Sequence, residues 1–238
     1  MKKLILIIIG IIVIGLVYYA GVRSNSVPLT KTAPTPTNSS SLCTRTSPYD
    51  NPPEFDRALS LITQRFQQTN TPLGIESAKE VESIKNCLDI QYASSDNEMN
   101  GAEGLFSFSS KSTKDRLKIL VSPRYEIKDD ILTAILVSHE LKHAWLFATD
   151  KFKTLTCYDN EVNAFKFQLA FIVSLNKEEL SSLIYRYSNT NSSEVEGVIN
   201  LTMYVGRSSP AGPYSDSVDN KILNYIKSIP AYQKECNP

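Results

Sequence analysis

Apolar and polar residues divide the chain into a leading apolar run, a polar stretch and a long region of mixed pattern. The run 4–20 carries no charge and is mostly branched aliphatic, and Lys2, Lys3 and Arg23 flank it. Its length and composition suit a membrane-spanning helix, which needs roughly 17 to 25 residues. We therefore predict a transmembrane signal anchor over residues 1–23.

The flanks of this run predict how the chain crosses the membrane. A cleaved signal peptide is the competing interpretation, but its end requires small residues, and Tyr18-Tyr19-Ala20 puts bulky rings there. This favours an uncleaved anchor. Lysines at the N-terminal end favour keeping that end in the cytoplasm. The predicted location is the cell membrane, with a single pass and the folded part of the chain outside the cytoplasm.

The polar stretch 24–42 is rich in Ser, Thr, Asn and Pro. Such a composition buries too little apolar surface to order itself, so we predict a disordered stalk. The folded domain is expected over residues 43–238. It contains all four cysteines, which allow two disulfides in any of three pairings, or buried reduced thiols: Cys43, Cys87, Cys157 and Cys236.

The mixed region alternates between helical and strand periodicity. A first helical stripe, at 54–67, consists of Phe55, Leu59, Ile62 and Phe66. Short runs rich in aliphatic and aromatic residues then predict three strands, at 88–93, 105–109 and 117–121. Helical patterns follow at 131–148, from Thr156 onwards, at 178–187 and at 218–229. The predicted fold class is α+β, with a small β-sheet followed by helices.

Charge excludes one class of partner. Lysine plus arginine and aspartate plus glutamate each number 25. This balance gives no basic surface for nucleic acid, so we expect no nucleic-acid partner. The overall charge therefore points to no partner, and a function has to depend on a local group of residues.

The chain's two histidines lie four residues apart in the predicted helix 131–148. Four residues turn an α-helix by about 400°, so His139 and His143 face the same way and can hold one metal ion. Glu140 follows the first histidine, which completes the His-Glu-x-x-His pattern of metallopeptidases, where the glutamate takes a proton from metal-activated water. A fortuitous match is the alternative, but two scattered histidines would fall four apart in only roughly one case in a hundred.

A catalytic zinc takes three protein ligands and leaves one position to water. Because the chain has no third histidine, the remaining ligand must be a carboxylate or a cysteine, and Cys157, Asp159 and Glu161 are nearby candidates. Asp159 ends a Thr156-x-x-Asp capping box, and Cys157 can pair with another cysteine. Glu161 has no such role and adjoins the apolar stripe of its helix, where a carboxylate needs a compensating charge. This favours Glu161 as a metal ligand; an exposed surface glutamate is the alternative.

The segment from His139 to His143, followed by Glu161-Val162-Asn163-Ala164, resembles the HExxH plus Glu-x-x-Ala arrangement of gluzincin zinc metallopeptidases. The small, membrane-associated members are the most similar, namely the Ste24 and HtpX kind and the minigluzincins. The resemblance covers roughly residues 87–175. It differs from the Ste24 type in having Phe165 where an Asp usually follows the Ala.

The resemblance implies a zincin-like domain in which His139, His143 and Glu161 bind Zn²⁺ and Glu140 is the general base. It also implies that a strand before the motif helix, 105–109 or 117–121, is an edge on which peptide substrates lie extended. A donor to the developing oxyanion is expected as well, and the downstream candidates are Tyr185, Tyr204, Arg207 and Tyr214.

Together these observations predict a membrane-anchored, extracytoplasmic zinc metallopeptidase. Its partners would be a peptide or protein substrate and the membrane that holds its N-terminal helix. A catalytically inactive zinc-binding surface module, acting in binding or assembly, is one alternative. An envelope protein with a fortuitous motif is the other.

Overall fold

A computed structural model describes residues 42–95, 98–99, 102–108, 112–126, 129–188 and 216–237. The predicted anchor, and the predicted stalk up to residue 41, lie outside these residues. Within the described ranges, no helix has both the length and the apolar character needed to cross a membrane.

The described residues form an α+β fold with a small sheet and several helices. The helices are α1 (Pro53–Gln68), α2 (Pro72–Ile84), α3 (Asp130–Ala148), α4 (Cys157–Ser174), α5 (Lys177–Ser188), α6 (Asp216–Ser228) and α7 (Pro230–Cys236). The strands are β1 (Leu88–Tyr92), β2 (Gly104–Phe106) and β3 (Leu117–Val121), and all three follow α2. The predicted fold class and the predicted strands are confirmed, with β2 shifted and shortened relative to 105–109.

Two helices were absent from the sequence prediction. The buried face of α2 mixes Ser77, Glu80 and Ser83 with apolar residues, which blurs the stripe that would reveal a helix. Helix α7 has only 7 residues, which is too short to establish a period.

The sheet has the order β1-β3-β2. Strand β3 is central and pairs in parallel with β1, from Leu88 opposite Leu117 to Tyr92 opposite Val121. Strand β2 is an outer strand and pairs antiparallel with β3. The predicted edge strand is therefore the one at 104–106, because 117–121 lies in the middle of the described sheet.

Helix α3 lies at the centre of the core and packs against α1, α2, α4 and the sheet. The Asp129 side chain begins the helix by accepting a hydrogen bond from the Leu132 N–H at 2.8 Å. Residues 132–141 are all buried, as expected for a helix covered on every side. This burial fixes the direction in which each side chain of the motif points.

A buried ion pair holds α2 against the motif helix. Lys142 Nζ, on α3, lies 2.8 and 2.7 Å from the two carboxylate oxygens of Glu80 on α2. The same ammonium lies 4.2 Å from the centre of the Trp145 ring, a cation–π contact. Since buried charges need a partner, the pair favours one position of α2 on α3.

Candidate metal centre

The two histidines project from successive turns of α3 and are both buried. Their ring centroids lie 4.9 Å apart, and His139 Nε2 is 3.2 Å from His143 Nε2. The four-residue spacing brings the rings together, and the burial of α3 directs them into the protein. Each ring therefore presents its Nε2 atom to the same point.

Glu161 reaches this point from the next helix. The predicted capping box is confirmed: the Thr156 hydroxyl and the Asp159 carboxylate exchange hydrogen bonds with each other's backbone N–H and set the start of α4. Glu161 then lies in the second turn of α4, which packs along α3. Its Oε1 is 3.3 Å from His143 Nε2, and its Oε2 is 3.4 Å from His139 Nε2.

The bonding partners of the three candidates show which of them is available as a third ligand. Cys157 is bonded to Cys236, so it offers no thiolate. Asp159 belongs to the helix cap. Glu161 is buried and faces both imidazoles, in contrast to the alternative of an exposed surface glutamate.

Electrostatics at this group favour a cation. Burial raises the pKa of Glu161, but the close approach of His139 and His143 outweighs it and holds the pKa well below its ordinary value. Burial lowers the pKa of His143, whereas Glu161 and Glu140 raise it, and the net direction is upward. Among the described residues, no group donates a hydrogen bond to the buried Oε2 of Glu161.

The buried group therefore has the chemistry of a metal site. It combines two imidazoles and a carboxylate, and their ligand atoms all lie within 4.8 Å of one another. A buried carboxylate oxygen without a donor is costly unless a positive charge accompanies it. His139, His143 and Glu161 could hold a metal ion together.

The side chain of Glu140 contacts the outer strand of the sheet. Its Oε2 accepts a hydrogen bond of 2.7 Å from the backbone N–H of Phe106 on β2. Its Oε1 lies so close to Gly104 that a Cβ atom there would be 2.8 Å away. The carboxylate thus rests against a glycine of β2, and its charge acts on His143 of the candidate metal-binding group.

Aromatic rings line both ends of the histidine pair. The ring centroid of Phe108 lies 5.6 Å from that of His143, and the ring centroid of Phe165 lies 4.6 Å from that of His139. Phe165 in turn packs on Tyr225 at 6.1 Å and Tyr232 at 5.7 Å. The residue that departs from the Ste24-type pattern thus packs on one of the histidines.

The C-terminal helix α7 is a part of the site that sequence reasoning missed. The disulfide between Cys157 and Cys236 joins its end to the first residue of α4. Burial, followed by the charges of Glu161 and Glu140, raises the pKa of Tyr232 well above its ordinary value. The Tyr232 ring reaches the group through Phe165, with the two ring centroids 5.7 Å apart.

Of the four predicted oxyanion donors, the structure describes Tyr185 alone. Tyr185 is 73% exposed on α5. The other three, Tyr204, Arg207 and Tyr214, lie outside the described residues. Pairing of Cys157 with Cys236 would have indicated α7 in advance, but the sequence leaves three pairings open.

No protein-family model, curated protein or solved structure matches this chain.

Proposed function

We propose that the protein is a zinc metallopeptidase of the gluzincin type. The observation that carries this proposal is the buried group of His139, His143 and Glu161, with the Glu140 carboxylate held against the outer strand beside it. This combination supplies metal ligands, a base and a strand edge in one place. A domain that only binds metal has no need of a carboxylate at that edge.

The spacing of the ligand atoms supports zinc. A tetrahedral zinc site with bonds of about 2.0 to 2.1 Å separates its ligand atoms by about 3.3 to 3.4 Å. In this group the two Nε2 atoms are 3.2 Å apart, and each lies 3.3 or 3.4 Å from a different oxygen of Glu161, which is close to that spacing. Zinc also favours imidazole with a carboxylate, and three protein ligands leave one position open.

Glu140 is the proposed general base. A zinc ion held by the three ligands would polarise the substrate carbonyl and acidify water. Glu140 accepts a proton from the attacking water and passes it to the departing amine, so that one water and one peptide bond yield a carboxylate and a protonated amine. The hydrogen bond from the Phe106 N–H fixes one oxygen of this carboxylate.

The disulfides support the proposed location outside the cytoplasm. Cys43 pairs with Cys87 and Cys157 with Cys236, so all four cysteines are oxidised. Such bonds persist in oxidising compartments and are rare in the cytosol. We propose that the anchor at 1–23 tethers an extracytoplasmic peptidase domain.

Metal content and hydrolysis together test the function. We expect elemental analysis of the purified full-length protein to find one zinc per chain, and a mixed peptide library to be cleaved. A chelator should abolish cleavage by removing the metal, and added zinc should restore cleavage by binding again. Well under one zinc per chain would contradict the proposal. One zinc without any cleavage would instead favour the binding module.

Gly104→Ala tests how Glu140 is positioned. The new Cβ would lie 2.8 Å from Oε1 and 2.9 Å from Cγ of Glu140, so the Glu140 side chain has to shift. We expect kcat to fall by about 100-fold, the loss that follows a displacement of roughly 1 Å at a reacting group. Metal content should not change, since Glu140 is not a proposed ligand.

Leu105→Ala is the matched control for this glycine. Leu105 is the next residue of β2, and its side chain packs against a separate cluster with Ala93, Met99 and Leu120. We expect its kcat to stay within a few-fold of wild type. Equal losses in the two variants would mean that β2 was simply disturbed, and would contradict a positioning role for Gly104.

A further inference from the structure

Phe108 is an exposed aromatic side chain beside the metal-binding group. Phe108 is 43% exposed, although it follows β2 by only two residues and its ring centroid lies 5.6 Å from that of His143. Covering an exposed phenylalanine ring with another apolar group is favourable, because it removes apolar surface from water. Its position allows a bound substrate to provide that cover.

Phe108 belongs to an aromatic patch formed by Phe106, Phe108, Phe147 and Phe152. Phe147 is one helical turn beyond His143 on α3, and its ring stacks on Phe152 at 5.2 Å. Phe108 closes the group, at 4.9 Å from Phe106 and 5.8 Å from Phe152. Phe106 is buried, whereas the other three are partly accessible, so the patch has an open apolar side.

The opposite end of the histidine pair has a different character. There the Phe165 ring is partly buried and packs against Tyr225 of α6 and Tyr232 of α7. The disulfide to Cys157 holds α7 in that position. Of the two rings that contact the histidines, Phe108 is the more exposed, so its end offers more surface to an incoming side chain.

The direction of β2 assigns the patch to one part of a bound peptide. The backbone N–H of Phe106 points away from β3, towards Glu140, which marks the outer edge of the sheet. An added strand pairs more stably when it runs antiparallel. From its N-terminus to its C-terminus, such a peptide runs from Phe108 towards Gly104. The residues on the N-terminal side of its cleaved bond therefore pass over the patch.

We infer that the aromatic patch is a specificity subsite that takes a large apolar side chain, aromatic or branched aliphatic, on the N-terminal side of the cleaved peptide bond. The inference rests on the proposed peptidase function and adds the substrate class. Selection on this side follows from the edge direction and from the contact between Phe108 and His143. The carboxylate of Glu140 lies along β2, with Oε1 beside Gly104 and Oε2 on the Phe106 N–H.

Two small hydroxamates separate binding at this subsite from turnover. N-acetylphenylalanine hydroxamate and N-acetylalanine hydroxamate carry the same metal-binding group and put their side chain on the N-terminal side of the carbonyl. Their binding to the zinc-loaded full-length protein can be measured by calorimetry. We expect the phenylalanine compound to bind at least about tenfold more tightly, from the apolar area that it buries.

Phe108→Ala should reduce this preference to within about threefold, since most of the exposed ring surface is lost. Because Phe108 is partly exposed and lies outside the strands and helices, the variant is expected to fold. Ile75→Ala is the matched control, because Ile75 is an apolar residue of similar exposure, 41%, on α2. It should keep the full preference.

The outcomes distinguish this inference from the proposed function. Equal binding of the two hydroxamates, or an unchanged preference in Phe108→Ala, overturns the subsite even if peptides are cleaved. Cleavage that selects large apolar residues only after the broken bond overturns it too. A clear preference without peptide cleavage supports the subsite and contradicts the peptidase function. A protein that binds neither zinc nor hydroxamate overturns both.

Discussion

Glu140→Gln is expected to abolish peptide hydrolysis while leaving zinc content unchanged. The amide has nearly the same shape, and its oxygen can still accept the hydrogen bond from the Phe106 N–H, so the local structure should persist. It cannot take a proton from water. The loss of a general base lowers kcat by typically about 10² to 10⁴-fold.

The measurement is kcat for a cleaved library peptide, together with zinc per chain by elemental analysis. Glu82→Gln is the control, because Glu82 pairs with Lys85 on the surface of α2. It should match wild type in both measurements. Activity of Glu140→Gln within a few-fold of wild type would rule out Glu140 as the base.

Glu161→Gln is expected to lose tight zinc binding. The change removes the carboxylate that faces both imidazoles at 3.3 and 3.4 Å. Even residues that only support a ligand change metal affinity by roughly 10- to 100-fold, so losing a ligand should exceed that range. Competition with a calibrated chelator measures the affinity directly.

Thermal unfolding gives a second readout for Glu161→Gln. A ligand present at 100 times its Kd stabilises the folded state by about 2.7 kcal/mol, so zinc should raise the Tm of the wild type. The variant should show no such increase at the same zinc concentration. Glu178→Gln, an exposed residue in the first turn of α5, should respond like wild type. Unchanged zinc affinity in Glu161→Gln would remove Glu161 from the ligand set.

Local sequence was enough to predict the helices that carry the candidate site. The Asp129 carboxylate begins α3, and the capping box from Thr156 to Asp159 begins α4. The four-residue spacing then puts His139 and His143 on one side of α3. All these interactions join residues within about one helical turn, so the order of the chain alone specifies them.

The third member of the group was only partly predictable. Sequence reasoning favoured Glu161 over Cys157 and Asp159 by assigning the other two local roles. It could not tell whether Glu161 faced solvent or the histidines. The packing of α4 on α3 decided that question, and the disulfide from Cys157 to Cys236 removed the competing thiolate.

The sequence by itself determined the α+β class, the approximate strands and the residues that can bind metal. Only the tertiary structure brought Gly104 against the carboxylate of Glu140, Phe108 against His143, and α7 against the start of α4. These contacts join residues far apart in the chain. They depend on how whole elements pack and on which cysteines pair, and no local preference or periodicity encodes either.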